Sequence, residues 1–438
     1  MNFQIKNLGN RNIPSPLKNI FQKSGSQFIS DNSRVLYDVS IKSNKKQNNN
    51  KPEISFEKAG PREKIYFDPS KVRAAIITCG GLCPGFNNVI RAIVTESFYM
   101  YKSCTIFGFP YGYHGLNPEN GYKPIELNPN NVKDIHNSGG TILGSSRGGT
   151  DDMDKIVDTL ERFNINILYA IGGDGTLRGA HEIAKIALKR KLNLSVIGVP
   201  KTIDNDLSYV QRSFGFETAF SKAVDSVNAA HVEAKGAPNG IGLVKVMGRH
   251  SGFIAASATL ATSEVNFVLI PEVPFDIEGE NGLLAHIEKR LANRYHAVIC
   301  VAEGAAQDLI IKDPSHQKKD ASGNLKLADI GLYLQNRIQR YFDSRNITIN
   351  LKYIDPSYII RSAPANPNDS IFCTILGQYA VHAGMAGKTD IIIGQWNNVF
   401  THIPIEAATH KRNQINPNSM FWKDILAATG QPENMKNN

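Results

Sequence analysis

Downstream of Lys71, short apolar runs alternate with longer amphipathic stretches. The runs are Ala74-Ala75-Ile76-Ile77-Thr78, Thr105–Phe107, Asn166–Ile171, Ser195–Val199, Ile241–Val246, Asn266–Ile270, Ala297–Val301, Thr348–Tyr353 and Asp390–Ile393. Most are continuous and rich in β-branched residues, as strands buried on both faces should be. Thr348–Tyr353 is the most polar of them. Val89–Tyr99, Leu177–Lys191, Glu217–Glu233, Gly282–Asn293 and Leu327–Phe342 read as helices. Alternation of strand and helix predicts an α/β fold with mostly parallel sheets. Eight or nine strands exceed one small doubly wound unit, so the pattern predicts two α/β domains.

Composition narrows the class. Of 438 residues, 41% are hydrophobic and 20% charged, an ordinary globular balance. No run approaches the ~18 apolar residues of a membrane-spanning helix, so no membrane partner is expected. Five cysteines are too few and too scattered for a disulfide scaffold, and they suggest reduced thiols in a reducing compartment, the cytoplasm by default.

The net charge is +9. The first sixty residues carry ten Lys/Arg against four Asp/Glu, which leaves the rest near neutral. This describes a basic tail on a neutral body, not a nucleic-acid-binding surface. The tail, rich in Asn (Asn48-Asn49-Asn50), has no apolar core of a secretory signal. On composition it is a solvated extension. The alternative is an arm that packs on the body or on a neighbouring subunit, anchored by Val35-Leu36-Tyr37 and Ile54-Ser55-Phe56.

Candidate chemistry sits in loops after the strands, where parallel sheets bind ligands. Gly80-Gly81-Leu82-Cys83-Pro84-Gly85 follows the first strand and precedes a helix. Such glycines let backbone N–H groups approach phosphate oxygens. A tight turn without a ligand is an equal reading. There is no Gly-Lys-Ser/Thr of a Walker loop. Gly172-Gly173-Asp174-Gly175-Thr176 places a carboxylate where it can hold Mg²⁺ beside a polyphosphate; an N-capping Asp is the plainer alternative. Pro200-Lys201-Thr202-Ile203-Asp204-Asn205-Asp206 crowds two carboxylates, a Lys and a Thr into one loop. A phosphoryl acceptor needs a base for its hydroxyl proton, and the donor phosphates need a cation; this loop offers both.

Other groups are weaker alone. Arg147 lies in the Gly/Ser-rich Thr141–Gly148. Met247-Gly248-Arg249-His250-Ser251-Gly252 follows another strand, Glu303 follows Ala297–Val301, and Lys352, Tyr358 and Arg361 lie farther on. Together the Arg and Lys suit a phosphate and the Glu suits sugar hydroxyls; singly each is an ordinary surface side chain. His250 and His382 have no metal-ligand spacing, and Cys79 and Cys83 read as loop-packing thiols.

Taken in order, the stretches Thr78–Arg91, Gly140–Arg147, Gly172–Gly179, Pro200–Asp206, Lys245–Gly252, Pro271–Phe275 and Tyr353–Asp369 resemble the phosphofructokinase family, over roughly three quarters of the chain. The resemblance implies two Rossmann-like three-layer α/β/α domains. They would comprise 71–215 with 361–410 for nucleotide and 216–360 for sugar phosphate, beside an N-terminal extension (1–70) and a C-terminal segment (411–438). It implies phosphorylation of fructose 6-phosphate at its 1-hydroxyl. By that resemblance Asp204 is the catalytic base, with Thr202 and Arg249 beside the reaction and Asp206 near the reacting hydroxyl. Asp174 is the Mg²⁺-associated carboxylate. Gly80, Gly81, Arg147, Gly173, Gly175, Thr176 and Lys201 surround the donor. Met247, Gly248, Arg249, Glu303, Lys352, Tyr358 and Arg361 surround the sugar phosphate. Lys352 matches a basic position donated across a subunit interface, which implies a homo-oligomer, a tetramer of two dimers.

The donor is a separate question, because the family uses either ATP or pyrophosphate. Pyrophosphate enzymes carry Asp at the position of Gly175 and Lys at that of Lys201. This chain pairs an ATP-like Gly175 with a pyrophosphate-like Lys201, a combination resembling the ATP-dependent branch of plants, trypanosomatids and other protists. ATP is therefore the expected donor, with pyrophosphate the alternative. Gly240 stands where bacterial members have a cross-subunit arginine, and Tyr358 where they have a histidine. An NAD or lipid kinase shares the Gly172–Thr176 pattern but leaves Pro200–Asp206 unexplained. A sugar-phosphate-binding regulatory subunit should lack Asp174, Asp204 or the arginines, and all are present.

Overall fold

The apolar runs fold as strands in two separate sheets. The computed structural model describes residues 3–25, 27–40, 53–102, 105–311 and 326–437. Unit 1 comprises Met1–Thr202, Leu207–Gly215 and Ala363–Lys411; unit 2 comprises Ile203–Asp206, Phe216–Ser362 and Arg412–Asn438.

Five parallel strands form the middle of the unit 1 sheet: Ile391–Trp396, Ser195–Pro200, Ile167–Gly172, Arg73–Thr78 and Thr105–Phe109. Arg73–Thr78 has its successor, Thr105–Phe109, on one side and the later Ile167–Gly172 on the other. The chain therefore changes direction across the sheet at this strand, and the loops after Arg73–Thr78 and Ile167–Gly172 face a topological switch point. Helices Phe86–Tyr99 and Asp174–Lys189 follow these loops. The strands read as unbroken apolar runs because both faces are covered; Ile167–Gly172 and Ser195–Pro200 are buried throughout.

Antiparallel strands extend both edges, which the sequence reading does not anticipate. Val399–Pro404 returns from Ile391–Trp396 through Asn397 and Asn398, whose φ angles are 48° and 59°. Two consecutive left-handed residues are the geometry of a tight hairpin turn, and Asn tolerates it. Ile125–Leu127 closes the other edge.

Within the described residues the amino-terminal segment is a packed arm. Arg34–Leu36 pairs with Ser55–Lys58, which pairs with Val399–Pro404, so the arm extends the sheet at the anchors proposed from sequence. Phe56 is fully buried and contacts Phe3, Tyr209 and Trp396 at centroid distances of 5.2, 5.7 and 5.7 Å. Buried ion pairs add to this hold. Lys388 Nζ lies 2.9 Å from Glu57 and 3.0 Å from Asp31, and Arg62 lies 2.7 Å from Glu57. The run Asn48-Asn49-Asn50 lies outside the described residues.

Unit 2 has four parallel strands in the order Phe267–Leu269, His296–Ala302, Gly240–Val246, Asn350–Ile354. Successive residues point to opposite faces. Ile241 and Leu243 pack against Leu284, Ile287 and Ile338, whereas Val244 and Val246 pack against Ala223, Val227 and Ala255. The polar Asn350–Ile354 is the half-buried edge strand, which accounts for its composition. The units divide the chain at points other than those drawn on the sequence: the described residues before 71 fall within unit 1, and residues 361–362 fall within unit 2. Ile203–Asp206 and the segment from Arg412 belong to unit 2, because Ile203, Ile415, Trp422 and Ile425 pack into its core and Arg412 pairs with Asp206.

Candidate active site

Unit 1 gathers the residues assigned to the donor. Lys201 ends Ser195–Pro200 and is itself buried. Its Nζ donates to the Gly81 carbonyl at 3.0 Å and stands over the Phe86 ring, 5.7 Å from the centroid. Its backbone N–H donates to the Gly172 carbonyl at 2.9 Å. One lysine thus ties the Gly80-Gly81 turn to the Gly172–Thr176 loop. A third loop joins them: Gly80 N–H donates to Ser146 O at 2.8 Å, and Ser145 Oγ donates to Gly80 O at 2.7 Å. This leaves Arg147 beside the turn with an exposed side chain.

Gly173 is the cap residue of the following helix and Asp174 its first residue, so Asp174 is not the capping side chain. Its carboxylate lies 3.2 Å from Arg178. Thr176 is buried, and its carbonyl accepts from Tyr113 Oη at 2.6 Å. Gly175 is informative for the opposite reason from most glycines. A Cβ there would meet nothing within 4 Å, and a helical glycine costs ~1 kcal/mol against alanine. Neither packing nor backbone geometry requires it.

Unit 2 gathers most of the residues assigned to the acceptor. The Arg249 backbone N–H donates to Asp204 Oδ2 at 3.4 Å, and Ser251 Oγ donates to the Asp204 carbonyl at 3.1 Å. The turn that permits this needs Gly248, with φ of 133° and a backbone neighbour, the Ser251 carbonyl, where a Cβ would stand. Met247 is buried below it. Glu303 N–H donates to Val246 O at 2.9 Å, which sets Glu303 beside this turn. Burial raises the Glu303 carboxyl above its ordinary range, while the charges of Arg249, Lys245 and Arg361 pull it down. A carboxylate among three cations is a fitting place for a polar anionic ligand.

Lys352 and Tyr358 are not drawn into this cluster. Lys352 lies on the edge strand and is exposed, and Tyr358 is 80% exposed. Gly240 has a steric cause: a Cβ there would run into the Ala234 carbonyl oxygen, so an arginine would displace the preceding helix. Thr202 closes unit 1's part of the loop, its carbonyl accepting from Ser213 Oγ. The presumed loop thiol Cys79 is buried, and burial pushes it up to about 12, which suits packing rather than reactivity. Among the described residues no three His, Cys, Asp or Glu side chains are grouped to hold a metal, and no helix is long and apolar enough to cross a membrane.

Sequence reasoning missed three residues. Lys245 bridges Asp329 and Asp355, at 2.9 Å each. Asp329 caps helix Ile330–Ser344, and Asp355 accepts from the Ser357 N–H at the start of the helix carrying Tyr358 and Arg361. Glu272 Oε1 accepts from Gly252 N–H at 3.0 Å and Ile415 N–H at 2.9 Å. Arg412 Nη1 lies 2.7 Å from Asp206 Oδ2. None has a local signal, because each partner is distant in sequence.

The family model described as Phosphofructokinase matches residues 73–384. The chain is 52% identical to the ATP-dependent 6-phosphofructokinase of Borreliella burgdorferi, over 100% of this chain and 98% of that one. It is 45% identical to the ATP-dependent 6-phosphofructokinase of Trypanosoma cruzi, over 85% and 76%. A pyrophosphate-dependent phosphofructokinase from Marinobacter aquaeolei shares the fold, with a TM-score of 0.67 at 18% identity over 82% of this chain and 91% of that one. With a family model spanning most of its length and a relative identical at half its positions, the chain belongs to the phosphofructokinase family.

Proposed function

We propose that the protein transfers the γ-phosphoryl group of ATP to the 1-hydroxyl of fructose 6-phosphate, giving ADP and fructose 1,6-bisphosphate in glycolysis. The observation that carries the reading is the setting of Asp204. Its carboxylate is held by the Arg249 backbone, in the same unit as Glu303 and Arg361. Asp204 takes the hydroxyl proton as the oxygen attacks the γ-phosphorus. Arg249 and Arg361 pair with the sugar phosphate, and Glu303 accepts from sugar hydroxyls. In unit 1, Lys201, Arg147 and the backbone of Gly80, Gly81 and Gly173 to Thr176 hold the donor phosphates. Relatives at 52% and 45% identity are named ATP-dependent, and the empty space at Gly175 supports a nucleotide.

Mg²⁺ fits this chain as an ion shared with phosphates rather than caged by protein. Asp174 supplies a hard carboxylate oxygen at the start of the donor helix, and Mg²⁺ is ordinarily held by one or two carboxylates plus substrate phosphates. When bound it neutralises charge on the donor phosphates. Exposure of Lys352 supports its contribution to a neighbouring copy in a homotetramer. The described cysteines are buried thiols that form no disulfide with one another, which supports a reducing compartment, the cytoplasm.

The test is phosphorylation of fructose 6-phosphate by purified protein with Mg²⁺, run with ATP and with pyrophosphate in parallel. Activity with ATP alone is expected. Activity with pyrophosphate alone overturns the reading of Gly175 and keeps Asp204; activity with neither overturns the enzyme assignment.

A further inference from the structure

The loop bearing Asp204 and Asp206 folds through an unfavourable residue. Asn205, between the two carboxylates, is buried with φ of 54°. That left-handed conformation is uncommon for a non-glycine residue and persists only where the surroundings hold it. On one side the hold comes from Arg249 and Ser251, which bind the Asp204 carboxylate and carbonyl. On the other it comes from a segment 206 residues away.

That segment is Arg412–Ile415. Arg412 Nη1 lies 2.7 Å from Asp206 Oδ2, and Asn413 N–H donates to the Asp206 carbonyl at 2.7 Å. Gln414 Nε2 donates to the His250 carbonyl at 2.8 Å. Ile415 N–H donates to the Glu272 oxygen that also accepts from Gly252. Consecutive residues thus grip the Asp206 loop and the Met247–Gly252 turn. The Asp206 carboxylate is only 8% exposed, and a buried carboxylate needs a partner. The Arg412 guanidinium, 36% exposed, supplies one from the edge of the site.

We propose that Arg412 is a positioning residue for phosphoryl transfer: through its ion pair with Asp206 it holds the loop that aims the Asp204 base at the acceptor hydroxyl. The proposal rests on the assignment of Asp204 and Asp206 to the active site. Displacing a catalytic group by ~1 Å can cost on the order of 10²-fold in rate.

A double-mutant cycle tests it, with Arg412→Met and Asp206→Asn alone and combined, and Arg412→Lys as the conservative variant. Each is assayed for kcat and for KM toward both substrates. Arg412→Met is expected to lower kcat about 10–100-fold with KM for ATP within about twofold. Arg412→Lys, which keeps the charge, recovers most of that loss. In the Asp206→Asn background Arg412→Met costs less than about threefold more, because a residue that acts through Asp206 has nothing left to position. Arg412→Gln enters the same cycle if the Met variant does not fold. Independent, multiplying losses, or a Lys variant no better than Met, overturn the proposal while leaving Asp206 in the site. Unchanged turnover in Asp206→Asn overturns the assignment of Asp206, and the proposal with it.

Discussion

Gly175→Asp separates donor selectivity from stability. Gly175 is the second residue of helix Asp174–Lys189, and no atom lies within 4 Å of the Cβ it would gain. The substitution therefore meets no steric barrier. Replacing glycine by a better helix former gains a few tenths of a kcal/mol. A carboxylate in the first helical turn gains ~0.3–1 kcal/mol from the helix dipole. The neighbouring Asp174 adds little repulsion, because residues at i and i+1 do not face each other on a helix. The variant should be as stable as the parent or slightly more so. Its effect on ATP is electrostatic: a unit charge ~5 Å from a phosphate charge is repelled by about 3 kcal/mol at an effective dielectric of about 20, and by under 1 kcal/mol in bulk water. That range corresponds to roughly 5–150-fold in kcat/KM. The assay is initial-rate kinetics with varied ATP and varied pyrophosphate at saturating fructose 6-phosphate, beside a thermal unfolding curve. The expected result is an unchanged or raised Tm with kcat/KM for ATP down about 10–100-fold. An intact Tm with kcat/KM for ATP within about twofold of the parent refutes the claim that Gly175 keeps space for a nucleotide.

Three further outcomes follow from the same contacts. Asp204→Asn keeps the shape of the loop but removes the proposed base, so kcat is expected to fall about 10²–10⁴-fold while fructose 6-phosphate binding, followed by calorimetry, persists. Phe56→Ala empties a fully buried aromatic site and costs about 3–5 kcal/mol in denaturant unfolding; a loss under 1 kcal/mol shows that the arm does not share the core of unit 1. Burial holds the His402 imidazole down to about 4. Below its ordinary 6.5 the unfolded chain takes up a proton that the folded chain refuses, so stability falls as pH drops from 6.5 to 4, by up to ~1.4 kcal/mol per pH unit. His402→Gln should flatten this slope in denaturant titrations at pH 7, 6 and 5, and an equal slope in parent and variant rules the explanation out.

Much of the site was readable locally because each loop is a short segment with its own chemistry. Gly172–Thr176 follows an apolar run and opens a helix, and Pro200–Asp206 ends another; both positions follow from periodicity alone. The edge strands were harder. Val399–Pro404 carries Thr401 and His402, both buried yet polar, so its hydrophobic signal is weak and its partner strand Ser55–Lys58 lies more than three hundred residues earlier. The arm was ambiguous because composition reports solvation of a free chain, whereas its burial depends on Lys388, His402 and Trp396, on which it packs.

The sequence by itself determined what is local. Apolar runs covered on both faces make parallel strands, and glycine, proline and carboxylates between them mark the candidate ligand loops. Tertiary structure alone decided which loops share a unit: Lys201 with Gly81 and Gly172, Asp204 with Arg249. It also decided which distant residues support them, Lys245 through Asp355 and Arg412 through Asp206. The reason is physical. A strand or turn is specified by interactions spanning a few residues, whereas a buried ion pair joins side chains whose separation along the chain is arbitrary. Only the folded backbone brings such partners within hydrogen-bonding distance.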